Sequence, residues 1–136
     1  MHTERLSILR DALRAHADDI KHHFDLLEWV GKKGCDTFYC ACGFAATLTK
    51  LQAQGFGLDN YVVVFHTPDY IWRGWSAVRH FFELNPDQAH WLFAEFSYAS
   101  GAGPLEVADR IDALLNGVVA PVCTCYMCER SGKQDE

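Results

Sequence analysis

Three cysteines fall within eight residues, Cys35-Asp36-Thr37-Phe38-Tyr39-Cys40-Ala41-Cys42, and three more within six, Cys123-Thr124-Cys125-Tyr126-Met127-Cys128. Three chemistries compete for them. The simplest is none: free cysteine packs as a small buried apolar residue, and this reading leads for the 35–42 group. The second is metal. Cys125-x-x-Cys128 has the spacing of a zinc knuckle, and Cys35-x4-Cys40 offers a second pair. Four thiolates would close a tetrahedral zinc site, although 85 residues separate Cys40 from Cys125, far from a compact finger. An iron–sulfur cluster uses the same ligands but needs cysteine runs that are missing here. The third is catalysis. Cys40 near a helix N-terminus would carry a lowered pKa, with His66, His80 or His90 as its base. No Ser-His-Asp order, phosphate loop or spaced carboxylate pair is present, so a non-enzymatic role ranks ahead of a thiol hydrolase or redox protein.

A second stretch suits recognition. Tyr70-Ile71-Trp72-Arg73-Gly74-Trp75 concentrates the residue types that dominate interface hot spots, namely Tyr70, Trp72, Arg73 and Trp75. The competing reading is that these rings cap the core.

The elements that must position these residues read as mainly α with a minor β element, about four to five helices in one domain over 1–117. Residues 118–136 form a cysteine-containing tail. Leu6, Leu9, Leu13 and Ile20 recur at helical spacing, which predicts a helix from about 4 to 22 capped by Thr3. His16, His22 and His23 suit the negative end of its dipole. Residues 24–30 read as an extended or turn-like segment, with Phe24, Leu26 and Trp29 turned inward, and Gly31-Lys32-Lys33-Gly34 as a basic loop. Thr37 predicts a cap for a helix over about 38–54, buried on Ala41, Ala45 and Leu48, with Gly55 as its terminal glycine. Tyr61-Val62-Val63-Val64-Phe65 is the best strand, with 24–30 or 118–123 as partners. Ser76 predicts a cap for a short helix to Leu84. Asn85-Pro86-Asp87-Gln88 is a capping-box start for a helix over 86–96. Pro104 opens a last helix that Asn116-Gly117 stops.

The net charge of −6 is unevenly placed. Residues 1–33 carry six acids and six bases, whereas 83–112 carry six acids against Arg110 alone. Such a surface repels phosphate backbones, so direct nucleic-acid binding is disfavoured. No apolar leader or membrane-length run is visible, which predicts a cytoplasmic, reducing setting with thiols or metal ligands rather than disulfides.

Phe24-Asp25-Leu26-x-x-Trp29, followed by Cys35-Asp36-Thr37-x-x-Cys40-x-x-Gly43-x-Ala45, resembles the motif of a family of small uncharacterised bacterial and phage proteins. Phe82-x-Leu84 and Gln88-Ala89-His90-Trp91-Leu92-Phe93 are similar to that family's later apolar segment. The resemblance covers about 24–115. Asp36 replaces the family's Gly, Cys42 its usual Ala, and the tail lies outside the pattern. It implies an intracellular bacterial or phage accessory protein and no particular activity. The expected role is binding another protein, with a zinc-stabilised module on Cys35, Cys40, Cys125 and Cys128 as the alternative.

Overall fold

The computed structural model describes residues 1–20, 24, 30–33, 36–94, 97–98 and 103–125. Helix α1 spans Thr3–Ala15. His2, not Thr3, caps it: the His2 Nδ1 accepts the Arg5 N–H at 3.3 Å. His16 ends α1 earlier than the leucine spacing suggests, and a short α2, Ala17–Ile20, follows. Leu6, Leu9 and Leu13 are fully buried, as their period requires.

Residues 38–54 do not form one helix. Strand β1, Val30–Lys33, pairs antiparallel with β2, Asp36–Tyr39, in the register Val30 to Tyr39 and Lys33 to Asp36. Gly31, Lys32 and Lys33 are therefore strand and not loop. The β-branched and aromatic run Thr37-Phe38-Tyr39 suits a strand better than a first helical turn. Cys40 replaces Thr37 as the cap, its sulfur accepting the Gly43 N–H at 3.2 Å, and α3 covers only Ala41–Ala45. The Thr47 hydroxyl then donates to the Phe44 carbonyl at 2.7 Å, local bonding that competes with continued helix. Leu48 is extended, and α4, Thr49–Gln52, starts anew. Ala41 and Ala45 are nonetheless fully buried. Ala45→Leu should overpack this face and cost about 1–3 kcal/mol. A urea midpoint equal to that of the parent chain would place Ala45 outside the tightly packed core.

The strand expected over 61–65 is β4, Val62–His66. Its partners are its sequence neighbours β3, Phe56–Asp59, and β5, Ile71–Arg73, in the antiparallel order β3-β4-β5. They replace the expected 24–30 and 118–123. Asn60 and Tyr61 both have positive φ, 54° and 64°, the geometry of the two-residue hairpin turn that joins β3 to β4. This local closure needs no distant strand, which is why it wins.

The sheet packs on α5, Trp75–Phe82, which begins one residue before the expected Ser76 cap. Phe56 stacks on Phe81 with centroids 4.5 Å apart, and Phe65 meets Phe81 edge-on at 5.0 Å. The Arg5 guanidinium lies 4.2 Å over the Phe81 ring and donates to the Phe81 carbonyl at 2.8 Å.

Helix α6 is Pro86–Phe93 and α7 is Pro104–Leu115. Helices α1 and α7 pack together, and Arg10 and Arg14 pair with Asp112 at 2.9 and 3.4 Å across the seam, while Arg14 also reaches Asp109 at 3.2 Å. The Arg10 hydrogen bond, helped by Arg14, holds the Asp112 carboxyl below its ordinary pKa. Part of the acidic run over 83–112 is thus neutralised from within the fold. The architecture is mainly helical with small antiparallel β elements. Seven helical segments occur among the described residues, more than the four or five expected, because the 38–54 stretch and the first helix are each broken. No helix among the described residues is long and apolar enough to cross a membrane.

Candidate metal centre

Helix α6 is the rigid half of the site. Its start follows the capping box: Asn85 Oδ1 accepts the Gln88 N–H at 2.8 Å, and the Asn85 N–H donates to Gln88 Oε1 at 3.0 Å. Its far end is clamped from α7. Arg110 donates to the Trp91 carbonyl at 2.7 Å, to Ser97 Oγ at 3.0 Å and to the Ser97 carbonyl at 3.0 Å. The same guanidinium covers the Tyr98 ring at 3.6 Å. His90 lies between these two anchors. The Trp75 ring meets the His90 imidazole edge-on at 4.8 Å and 82° and fixes its plane.

The other half is the segment after α7. Gly117, at φ +92°, turns the chain, and the Val118 N–H closes on the Ala113 carbonyl at 3.0 Å. Residues 118–124 then run without regular structure, so the strand considered there does not form. Ala120 and Cys123 are buried, while Val119 and Val122 face outward. Asp87, one turn before His90 on the same helix, accepts the Cys123 N–H at 2.8 Å. That bond lays the strap along α6 and delivers its cysteines to His90.

Three ligand atoms converge there. His90 Nδ1 lies 3.2 Å from Cys123 Sγ and 3.7 Å from Cys125 Sγ, and the three ligand atoms all lie within 4.8 Å of one another. A tetrahedral zinc with ordinary Zn–N and Zn–S lengths separates its nitrogen and sulfur ligands by about 3.6 Å and its sulfurs by about 3.8 Å. The observed spacings bracket the first value and accommodate the second. His90 and Cys125 are half-buried and Cys123 is buried, so the group sits just beneath the surface. A cleft of about 220 Å³ adjoins it, lined by Asp87, Trp91, Ser97 and Thr124 among others. Chemically the group can do two things: hold a soft or borderline divalent ion, or draw thiol protons onto the imidazole.

The residues singled out from sequence divide between several places. Cys125 is in this group; Cys40 is not. Cys40 is buried beside Cys42 at the start of α3. Burial raises the Cys40 thiol, but hydrogen bonds from the Cys42 thiol and from nearby backbone N–H groups outweigh it and bring it below its ordinary value. Cys42 is pushed well up by burial and by its bond to Cys40. Cys35 and Cys128 lie outside the described residues, as do Leu26, Trp29, His22 and His23. Tyr70 is exposed beside Trp72, whose ring stacks on His80 at 3.5 Å. Arg73 is exposed and pairs with Asp59 at 2.9 Å, and Trp75 faces His90.

The sequence reading passed over two of the three ligands. Cys123 lies outside the Cys125-x-x-Cys128 spacing, and the sequence offers His90 only as a base for Cys40. The one available signal was a histidine on the best-capped helix together with a tail offering closely spaced thiols. No protein-family model, curated protein or solved structure matches the chain.

Proposed function

We propose that this protein is a non-enzymatic binding module whose C-terminal strap is fastened to α6 by zinc. The observation that supports this is the convergence of two sulfurs, Cys123 and Cys125, on one imidazole nitrogen of His90. A general base serves one thiol; a shared focus for two thiols and an imidazole suits an ion. Cys128 follows Cys125 by the knuckle spacing read from the sequence and supplies the fourth thiolate in this reading. Cys40 already caps α3 and is not needed. A site of three thiolates and one imidazole is closed and structural, which agrees with a role in binding rather than turnover.

The test is metal content. Protein purified without chelator should carry about one zinc per chain. Cobalt substitution should give the strong near-ultraviolet thiolate bands and the visible pattern of tetrahedral coordination. His90→Ala and Cys125→Ser should each lower retention at least tenfold. Less than a tenth of an equivalent of metal, with no cobalt spectrum, would eliminate the module.

The binding role has its own support. Strand β5 lies at the edge of its sheet, and Tyr70 and Ile71 there are 58% and 45% exposed. An edge strand flanked by an exposed ring and an aliphatic side chain is suited to receiving a partner chain. In this reading Tyr70, Trp72 and Arg73 face a protein partner in a bacterial cytoplasm, whether the chain is the bacterium's own or a phage's, and Trp75 ties that surface to the metal centre.

A further inference from the structure

We infer that Cys123 and Cys125 form a site of thiol oxidation: hydrogen peroxide joins them in a disulfide and, where zinc is bound, expels it. The inference rests on the zinc reading only for that expulsion. The four described cysteines form two pairs with opposite access. Cys40 and Cys42 are 3% and 0% exposed, sealed in the core at the start of α3. Cys125 is partly exposed at the surface, with Cys123 just behind it. Their sulfurs lie within 4.8 Å of each other, so side-chain rotation can bring them to bonding distance. That arrangement supplies an accessible thiol and a resolving thiol behind it.

The steps balance. The Cys125 thiolate attacks one peroxide oxygen; an S–O bond forms, the O–O bond breaks, and the departing hydroxide takes up from solvent the proton that the thiol gave up and leaves as water. Cys123, deprotonated in turn, attacks the sulfenic sulfur; the S–S bond forms, the S–O bond breaks, and a second hydroxide leaves as water. Two thiols lose two electrons and two protons, and the peroxide is reduced to two waters. The disulfide sulfurs no longer carry charge and release the metal.

The experiment uses the full chain, in zinc-loaded and chelator-stripped forms, treated with hydrogen peroxide. Intact mass reports the disulfide as the loss of two hydrogen atoms, and a zinc-sensitive dye reports release. Stripped protein should lose that mass and regain it with a thiol reductant. Cys123→Ser and Cys125→Ser should each abolish the loss, and Cys40→Ser and Cys42→Ser should leave it. Zinc release should keep pace with disulfide formation. No mass loss, or a loss that persists in Cys123→Ser or in Cys125→Ser, overturns the oxidation site. Zinc retained after complete disulfide formation overturns the expulsion. A chain that never held zinc removes the metal reading and leaves the stripped-protein mass to decide the oxidation site.

Discussion

Removing zinc from the loaded protein should lower its thermal midpoint by roughly 10–15 °C. An ion that binds only the folded state at a thousandfold excess over its dissociation constant stabilises by about 4 kcal/mol, and a domain of this size moves by roughly 3 °C per kcal/mol. The effect is a shift and not a collapse. Leu6, Leu9 and Leu13 on α1, Phe81 and Phe82 on α5, Leu92 on α6 and Ile111 on α7 are fully buried in a core to which the strap's described residues add Ala120 alone. A zinc finger without its ion has no such core and unfolds outright. When the ion goes the strap keeps its Asp87 bond, the Val118 N–H bond to the Ala113 carbonyl and the packing of Ala120 and Cys123. Cys125→Ser should melt near the chelated midpoint and should no longer respond to chelator. A midpoint that chelation leaves within a degree of the loaded protein's would remove any stapling role from the His90 group, and differential scanning calorimetry on both forms decides it.

Gly55→Ala should be the most damaging small substitution, costing about 3–4 kcal/mol. Gly55 has φ +101°, where a side chain is strained whatever space it finds. It has no space: a Cβ there would collide with the His66 backbone carbonyl. That backbone cannot yield, because the His66 N–H donates to the Gly55 carbonyl at 2.8 Å and His66 ends β4, paired with Ile71 of β5. Any relief must move the sheet off the Phe56–Phe81 stack. Gly57→Ala is the matched control, since nothing lies within 4 Å of its Cβ and its φ is not in the left-handed range. Gly57→Ala should fall within about 0.5 kcal/mol of the parent chain. Equal urea midpoints for the two variants would show that the approach of Gly55 to β4 carries no stability.

What the residues announced without the fold was whatever depends on neighbours within one or two turns. The Asn85-Pro86-Asp87-Gln88 start of α6, the Pro104 start and Gly117 stop of α7, the buried leucines of α1 and the β4 strand are all such features. A cap or a hydrophobic period is satisfied by residues three or four positions away, so its signal is complete in the sequence. The break of 38–54 was hidden for the complementary reason. Ala41, Gly43 and Ala45 fit a helix, but pairing with β1 claims Asp36–Tyr39 and Thr47 turns its hydroxyl onto the chain. The candidate site was the least legible feature. His90 and Cys123 are 33 positions apart, and nothing local says that they meet. They meet because α7 packs beside α6, Gly117 turns the chain back, and Asp87 takes the Cys123 N–H. Residue types thus set which ligands the chain owned, and tertiary packing chose which of them share one ion-sized space, because closure of a long loop is decided by the contacts at its ends and not by the letters within it.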